Sequence, residues 1–304
     1  MRADEPPQYL STPQAAEVLG VSVSTIKRWV DEGVLPAHKT PGGHRKLTRA
    51  DVLALARSGD LPRGDLAALG GARSGRRPAD PGATANALFE ALMQGEGSLV
   101  NAVISGAYRA GFSVEAIADQ IVAPTMTRVG HDWETRRIDV WHEHRATQLC
   151  SAALYDLKDE LELRAERNRP VAVGGAPEGD PYLLPSLLAQ LVLLDAGWDA
   201  VNLGPNTPLS SLIAALRELR PRLLWLSVTH IENTPRFVHA CRDLCQAAEQ
   251  AGVAVAVGGQ ALTDAVRSTI PYTAYGDRLH SLGAFARTLH PRPRRPRRGR
   301  PPST

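Results

Sequence analysis

Residues 170–185 read PVAVGGAPEGDPYLLP: a short apolar run, two glycines, then an acidic loop set between prolines. Val171 to Gly175 lacks the alternation of a half-exposed strand and has the continuous apolar character of one buried on both faces. Leu183 to Gly197 follows as an apolar stretch of helical length, and a new apolar run begins at Trp198. The pattern then repeats. WDAVNLGPN (198–206), RLLWLSVTH (222–230), VAVAVGG (253–259) and YTAYG (272–276) read as strands. Helical segments at 208–220, 236–252 and 262–270 separate them, and one more follows at 278–290. This alternation predicts about five strands in a parallel sheet covered on both faces, the doubly wound, flavodoxin-like class. Ligands of such sheets bind outside the carboxyl ends of the strands. The loop 177–185 is therefore a candidate site, yet it offers Asp180 and Tyr182 where Gly, His or Ser would be usual.

Upstream, residues 85–167 carry helical rather than strand periodicity. Leu88, Leu92, Leu99, Val103 and Ile104 recur at helical spacing, Ser113 can cap a further helix, and 140–167 runs long without a breaker. Four helices packed as a bundle are predicted there. The stretch SGDLPRGDLAALGGARSGRRPADPGAT (58–84) is rich in Gly, Pro, Arg, Ala and Asp and reads as a flexible linker. Residues 168–289 form the sheet domain, and the Pro/Arg-rich end at 290–304 is expected to be disordered.

Residues 1–57 read differently again. Thr12 can cap a helix with Pro13 at its first position, Ala15, Ala16, Val18 and Leu19 give it an apolar face, and Gly20 ends it. Ser22 can cap a second helix whose inward positions are Val23, Ile26, Trp29 and Val30, closed by Gly33. That spacing predicts a helix-turn-helix. The outward residues of the second helix are Ser24, Thr25, Lys27 and Arg28, suited to phosphates and base edges. Gly42 and Gly43 permit a tight hairpin that presents Lys39, His44, Arg45 and Lys46 beside it, as a wing would, and Thr48 caps a third helix.

Charge distribution agrees with a polyanionic partner. The 304 residues sum to +3, but the tail alone carries six arginines, which leaves the rest at about −3. Lys27 to Arg57 holds seven Lys/Arg against three Asp/Glu, a local basic region. Three cysteines, Cys150, Cys241 and Cys245, are too few for a disulfide framework and fit a reducing compartment. No apolar run reaches membrane-spanning length, and MRADEPPQYL lacks a signal-peptide apolar core. A cytoplasmic protein with no membrane contact is expected. No nucleophile motif, phosphate-cradling loop or metal-ligand spacing is present, so no catalytic residue and no metal site is assigned.

TPQAAEVLGVSVSTIKRWVDEGVLP (12–36) followed by TPGGHRK (40–46) resembles the MerR-family winged helix-turn-helix over about 50 residues. That resemblance implies double-stranded operator DNA as partner and a homo-oligomer, dimer or tetramer. Trp133, nine residues, then Glu143-His144 matches the W-x9-E-H signature of the CarH/LitR group of light-sensing repressors. In that group the C-terminal half holds adenosylcobalamin. The resemblance implies that Trp133, Glu143 and His144 form an upper ligand pocket. It places Asn206 and Thr207 of NLGPNTP, Ser227 of LSVTH and the pair Gly258-Gly259 at the sheet end, where glycines let backbone approach the ligand.

Two departures matter. Cobalamin domains of this type carry D/E-x-H-x-x-G in the opening loop, the His ligating cobalt. Here the acid is kept as Asp180, the His is Tyr182 and the Gly is Pro185. A phenol with a reference pKa near 10 is a poor ligand at neutral pH, where an imidazole is a good one. Glu134 also follows Trp133 where CarH-like chains have a reactive His. Three readings stay open: a regulator sensing cobalamin or another tetrapyrrole without axial His ligation; a regulator with a ligand-free oligomerisation module; and a corrinoid-dependent enzyme.

Overall fold

A computed structural model describes residues 9–19, 23–39, 45–48, 51, 55, 80–163, 165 and 168–290. The chain divides into two compact units, 1–76 and 77–304.

The first unit contains β1 (Tyr9–Ser11), α1 (Thr12–Leu19), α2 (Val23–Asp31), β2 (His38–Lys39) and β3 (Arg45–Thr48). The strands form an antiparallel sheet in the order β1-β3-β2, with Lys39 opposite Arg45 and His38 opposite Lys46. The hairpin of the wing is therefore present. Its tip, with Gly42, Gly43 and His44, lies outside the described residues, as do Ser22 and Gly20. β1 was not anticipated: it pairs Tyr9 with Thr48 and Ser11 with Lys46 and so ties the entry of α1 to the wing. Ala15, Ala16, Ile26, Trp29, Leu35 and Leu47 make the core of this unit. Thr48 Oγ1 accepts from the Asp51 amide at 3.1 Å, the cap expected there.

The second unit opens with α3 (Pro81–Gln94), α4 (Gly97–Arg109), α5 (Val114–Ala116), a π-helical turn (Ile117–Val122), α6 (Ala123–Glu134) and α7 (Val140–Leu163). The linker was expected to run to residue 84, but the Asp80 carboxylate caps the amide of Gly82 and Pro81 takes the first helical position. Gly95 ends α3 in the left-handed conformation. The sheet follows: β4 (Val171–Gly175), α8 (Leu183–Asp195), β5 (Asp199–Asn202), α9 (Leu209–Leu219) and β6 (Leu223–Ser227). Then come α10 (Thr234–Gln250), β7 (Ala254–Gly258), α11 (Asp264–Arg267), β8 (Ala274–Gly276) and α12 (Leu279–Leu289).

All five strands are parallel, in the order β5-β4-β6-β7-β8. This is the flavodoxin-like arrangement, and its switch point lies between β4 and β6. The helix after β4 and the helix after β6 leave to opposite faces: α8 joins one core and α10 the other. The first core is continuous from the bundle through α8 to Trp225 and Ala256 of the sheet. Bundle and sheet, separated at residue 168 from sequence, thus share one apolar interior.

Candidate functional site

In the first unit the exposed residues of α2 include Ser24, Lys27 and Arg28, with Lys46 exposed on β3. Arg28 lies 3.9 Å from Glu32, one turn on. Thr25 must be corrected: it is only 7% exposed and sits with Ile26 and Trp29 on the inward face. Val23, expected inside, is exposed instead. The helix is rotated by about one residue from the expected setting, because Thr25 precedes Trp29 by four positions and shares its face. Lys39 and Arg45 stand on the paired strands of the wing, and His44 lies outside the described residues.

At the sheet end, the opening loop is the most tightly bonded part of the site. Asp180 has no solvent exposure. Its Oδ2 accepts from the amides of Thr229 at 2.6 Å and His230 at 3.0 Å, and its Oδ1 from the amide of Tyr182 at 3.1 Å. One carboxylate thereby joins the loops that follow β4 and β6, across the switch point. The loop after β5 is sewn on as well. Asn206 Oδ1 accepts from the Gly179 amide at 2.8 Å, the Asn206 amide donates to the Asp180 carbonyl, and Thr207 bonds to Ala176. Thr207 is buried, its hydroxyl turned to the Leu203 and Gly204 carbonyls.

Asn206, Thr207 and Asp180 are thus brought together, but as members of one bonded loop cluster. Tyr182 is the exception. Its side chain is 52% exposed while its backbone starts α8. Pro185 falls in the first turn of α8, where a missing N–H costs no helical bond. Ser227 is buried beside Gly258 of β7. The glycine pair has a reason internal to the protein: a Cβ on Gly259 (φ +119°) would lie 2.1 Å from the Val228 carbonyl, and one on Gly258 2.7 Å from that of Gly276. Their role in close packing needs no ligand.

His230, not singled out from sequence, is exposed at the carboxyl end of β6. A cavity of about 80 Å³ lies nearby, lined by Pro177, Leu209, Ile231 and Phe237, with the Glu178–Arg236 ion pair (2.9 Å) at its rim. It is far too small for a macrocycle, against the several hundred Å³ of an ordinary ligand pocket.

On the bundle, Trp133 ends α6 and Glu143 and His144 lie in the first turn of α7. Between them, Asp132 holds Arg137 at 2.7 Å and its carbonyl accepts from the amides of Arg137 and Ile138, which makes the intervening turn tight. Glu143 accepts from Thr147 at 3.0 Å and lies 3.6 Å from His144. Among the described residues no hydrogen bond or ring stacking ties Trp133 to that pair. Trp133 is 46% and Trp141 53% exposed. Trp141 stacks on His142 at 3.6 Å and lies 5.0 Å from the Arg145 guanidinium, which itself donates to the Met93 carbonyl.

The thiols take no part in this surface. All three are buried. Burial pushes Cys150 up to about 12. The hydrogen bond with Cys245, then burial, raises Cys241, while Cys245 donates to the Pro271 carbonyl.

Comparison with known proteins agrees with this layout. A family described as a helix-turn-helix domain matches residues 9–73, and one described as a B12 binding domain matches residues 84–158, the helices of the bundle. The HTH-type transcriptional repressor CarH of Myxococcus xanthus is 28% identical over 81% of this chain and 87% of its own. Trimethylamine corrinoid protein 1 of Methanosarcina mazei is 22% identical over 62% of this chain and 88% of its own. The structure of the Methanosarcina barkeri monomethylamine corrinoid protein superposes with a TM-score of 0.56 at 18% identity, covering 66% of this chain and 96% of that one. The last likeness is one of fold. The chain thus matches a helix-turn-helix domain family and then a B12 binding domain family, and over most of its length it is similar to the repressor CarH.

Proposed function

We propose that this chain is a sequence-specific, MerR-type DNA-binding transcription regulator whose second unit binds a corrinoid or related flat tetrapyrrole and sets the assembly state. The observation that carries the reading is the conjunction in one chain of a cationic second helix beside a wing and a helical bundle on a parallel sheet of flavodoxin-like strand order. Lys27, Arg28 and Lys46 are exposed cations of the kind that meet phosphates, and Ser24 is an exposed hydroxyl of the kind that reads base edges, which supports the reading. A homo-oligomer suits half-sites related by two-fold symmetry.

The residues present suit such a cofactor chemically. A corrin is a broad flat ring around a cobalt ion, so it needs aromatic or apolar faces and a donor atom. Half-exposed Trp133 on the bundle, exposed Tyr182 and Leu203 at the strand ends and the exposed imidazole of His230 are groups of those kinds. When bound, the group would supply a metal centre able to exchange a ligand. The protein's own part is to hold its faces and exclude water from them.

Purification with adenosylcobalamin, an absorption spectrum and size-exclusion chromatography in dark and light test the sensing half of this proposal. A retained corrinoid spectrum with a ligand-dependent elution volume is expected, and a light-dependent shift would add photoreception. A colourless protein whose elution never changes would sink it. That outcome favours the second reading, a ligand-free oligomerisation module. The observation behind that reading is that Asp180 is fully engaged in loop bonds beside a tyrosine. For the DNA half, Lys27→Ala is expected to weaken operator binding and to lower the slope of log affinity against log salt by about 1. Unchanged binding over a salt series would remove α2 from the interface.

A further inference from the structure

We propose that His230 is the protein's donor to the metal of a bound corrinoid, in the role for which Tyr182 is chemically unsuited. The proposal rests on the corrinoid reading above and assigns a residue within that site.

Topology supplies the first argument. His230 leaves the carboxyl end of β6, whose neighbour β4 leads to Tyr182. The helices that follow these two strands diverge to opposite faces, so the crevice opens between them. Tyr182 and His230 are both exposed, one on the loop after each of these strands. The second argument is the bond pattern of Asp180. Its two oxygens hold the amides of Tyr182, Thr229 and His230, so the backbones of both candidate donors lie within one hydrogen bond of the same carboxylate. A buried carboxylate with three amide donors is a rigid anchor, and a ligand residue is most useful when its backbone is fixed before the metal arrives.

Chemistry then separates the two residues. As donor types, a phenol is a weak ligand for a metal at neutral pH, whereas an imidazole nitrogen is a good one. Among the described residues the ring nitrogens of His230 have no hydrogen-bond or ion-pair partner. The other described imidazoles on the second unit are differently placed. His142 is stacked on Trp141, His144 neighbours Glu143, and His239 faces Asp243. His280 starts the helix after the edge strand β8, and His290 meets Trp198. His131 ends a bundle helix. Only His230 of this set stands at the switch point.

The decisive probe is cobinamide, a corrinoid without the nucleotide base, bound to the full-length chain and reduced to the Co(II) state. Any nitrogen splitting in its paramagnetic resonance spectrum must then come from the protein. The wild type is expected to show that splitting, Tyr182→Phe to keep it and His230→Ala to lose it, with unchanged circular dichroism because the side chain is exposed. Splitting that survives in His230→Ala overturns the assignment. Cobinamide bound to the wild type without splitting overturns it too, while leaving the corrinoid reading intact. Retention of neither cobinamide nor adenosylcobalamin overturns both.

Discussion

The loop cluster at the end of β4 and the corner between α6 and α7 are both built from residues that sequence marks as ligand-binding, yet they are opposite in physical character. At the sheet end these polar groups are turned inward: Asp180 is without exposure, Thr207 and Ser227 are buried, and Asp180 and Thr207 are bonded to backbone groups. At the bundle corner the large rings are turned outward, with Trp133, Val140 and Trp141 all substantially exposed. A fold that leaves two indoles half in water leaves apolar area uncovered, whereas one that buries a carboxylate must satisfy it completely. The buried polar groups of the first region therefore serve architecture, whereas the second leaves apolar surface uncovered.

Asp180→Ala tests this contrast most severely. Removing a buried acceptor of three amides leaves those donors without partners, and a loss of at least about 3 kcal/mol in urea unfolding is expected. Asp180→Asn, which keeps an acceptor oxygen, is expected to lose roughly half as much. A loss below about 1 kcal/mol for the alanine variant would show that the loops stand without the carboxylate. Trp133→Ala makes the reverse test. Corrinoid affinity is expected to fall about tenfold, near 1.4 kcal/mol, while unfolding stability stays within about 0.5 kcal/mol. Destabilisation of about 3 kcal/mol, the range of a buried tryptophan, would place the ring in the core instead.

A smaller effect comes from the contact between bundle and sheet unit at α12. Glu115 pairs with Arg287, and Asp119 accepts from the amides of Leu279 and His280 at the start of that helix. Burial pushes the Glu115 carboxyl up, but the bonds from Arg287 and Ser113 outweigh it and hold the group below the ordinary 4.5. A folded value below the unfolded one means stability that is full above about pH 4.5 and is lost as pH falls through the folded value. Because Arg287 is partly exposed, the contribution is about 1 kcal/mol. Glu115→Gln is expected to flatten the stability profile below pH 4.5 relative to wild type. Parallel profiles for the two proteins would remove Glu115 from the acid response.

Much of this was legible from the chain. The strand order could be expected because βαβ periodicity leaves few topologies, and the helix-turn-helix showed in its caps and turn glycine. What sequence hid was mostly non-local. The partners of Asp180 at Thr229 and His230 lie about fifty residues on, so the acid read as the remnant of a motif and His230 as nothing in particular. Strand β1 is only three residues long, too short for a period to show, and exists because Leu47 offers it an edge. Thr25 was misplaced because a nine-residue helix with few apolar positions allows two settings a residue apart. Gly259 was read as making room for a ligand, whereas the Val228 carbonyl already occupies that room.

Helix α8 has a consequence for how the chain comes into being. Every residue from Ser186 to Leu194 is buried, yet of the elements that cover it only the bundle helices and β4 precede it in synthesis. β5, β6 and α12 come later, and Ser227 emerges more than thirty residues after Asp195. At ribosomal speeds of roughly 5–20 residues per second, a nearly all-apolar helix waits a few seconds with one side uncovered. The long, early-made α7 is then a temporary shelter as well as a permanent neighbour. Whatever slows its formation should show first as aggregation of nascent chains, before any loss in the finished protein.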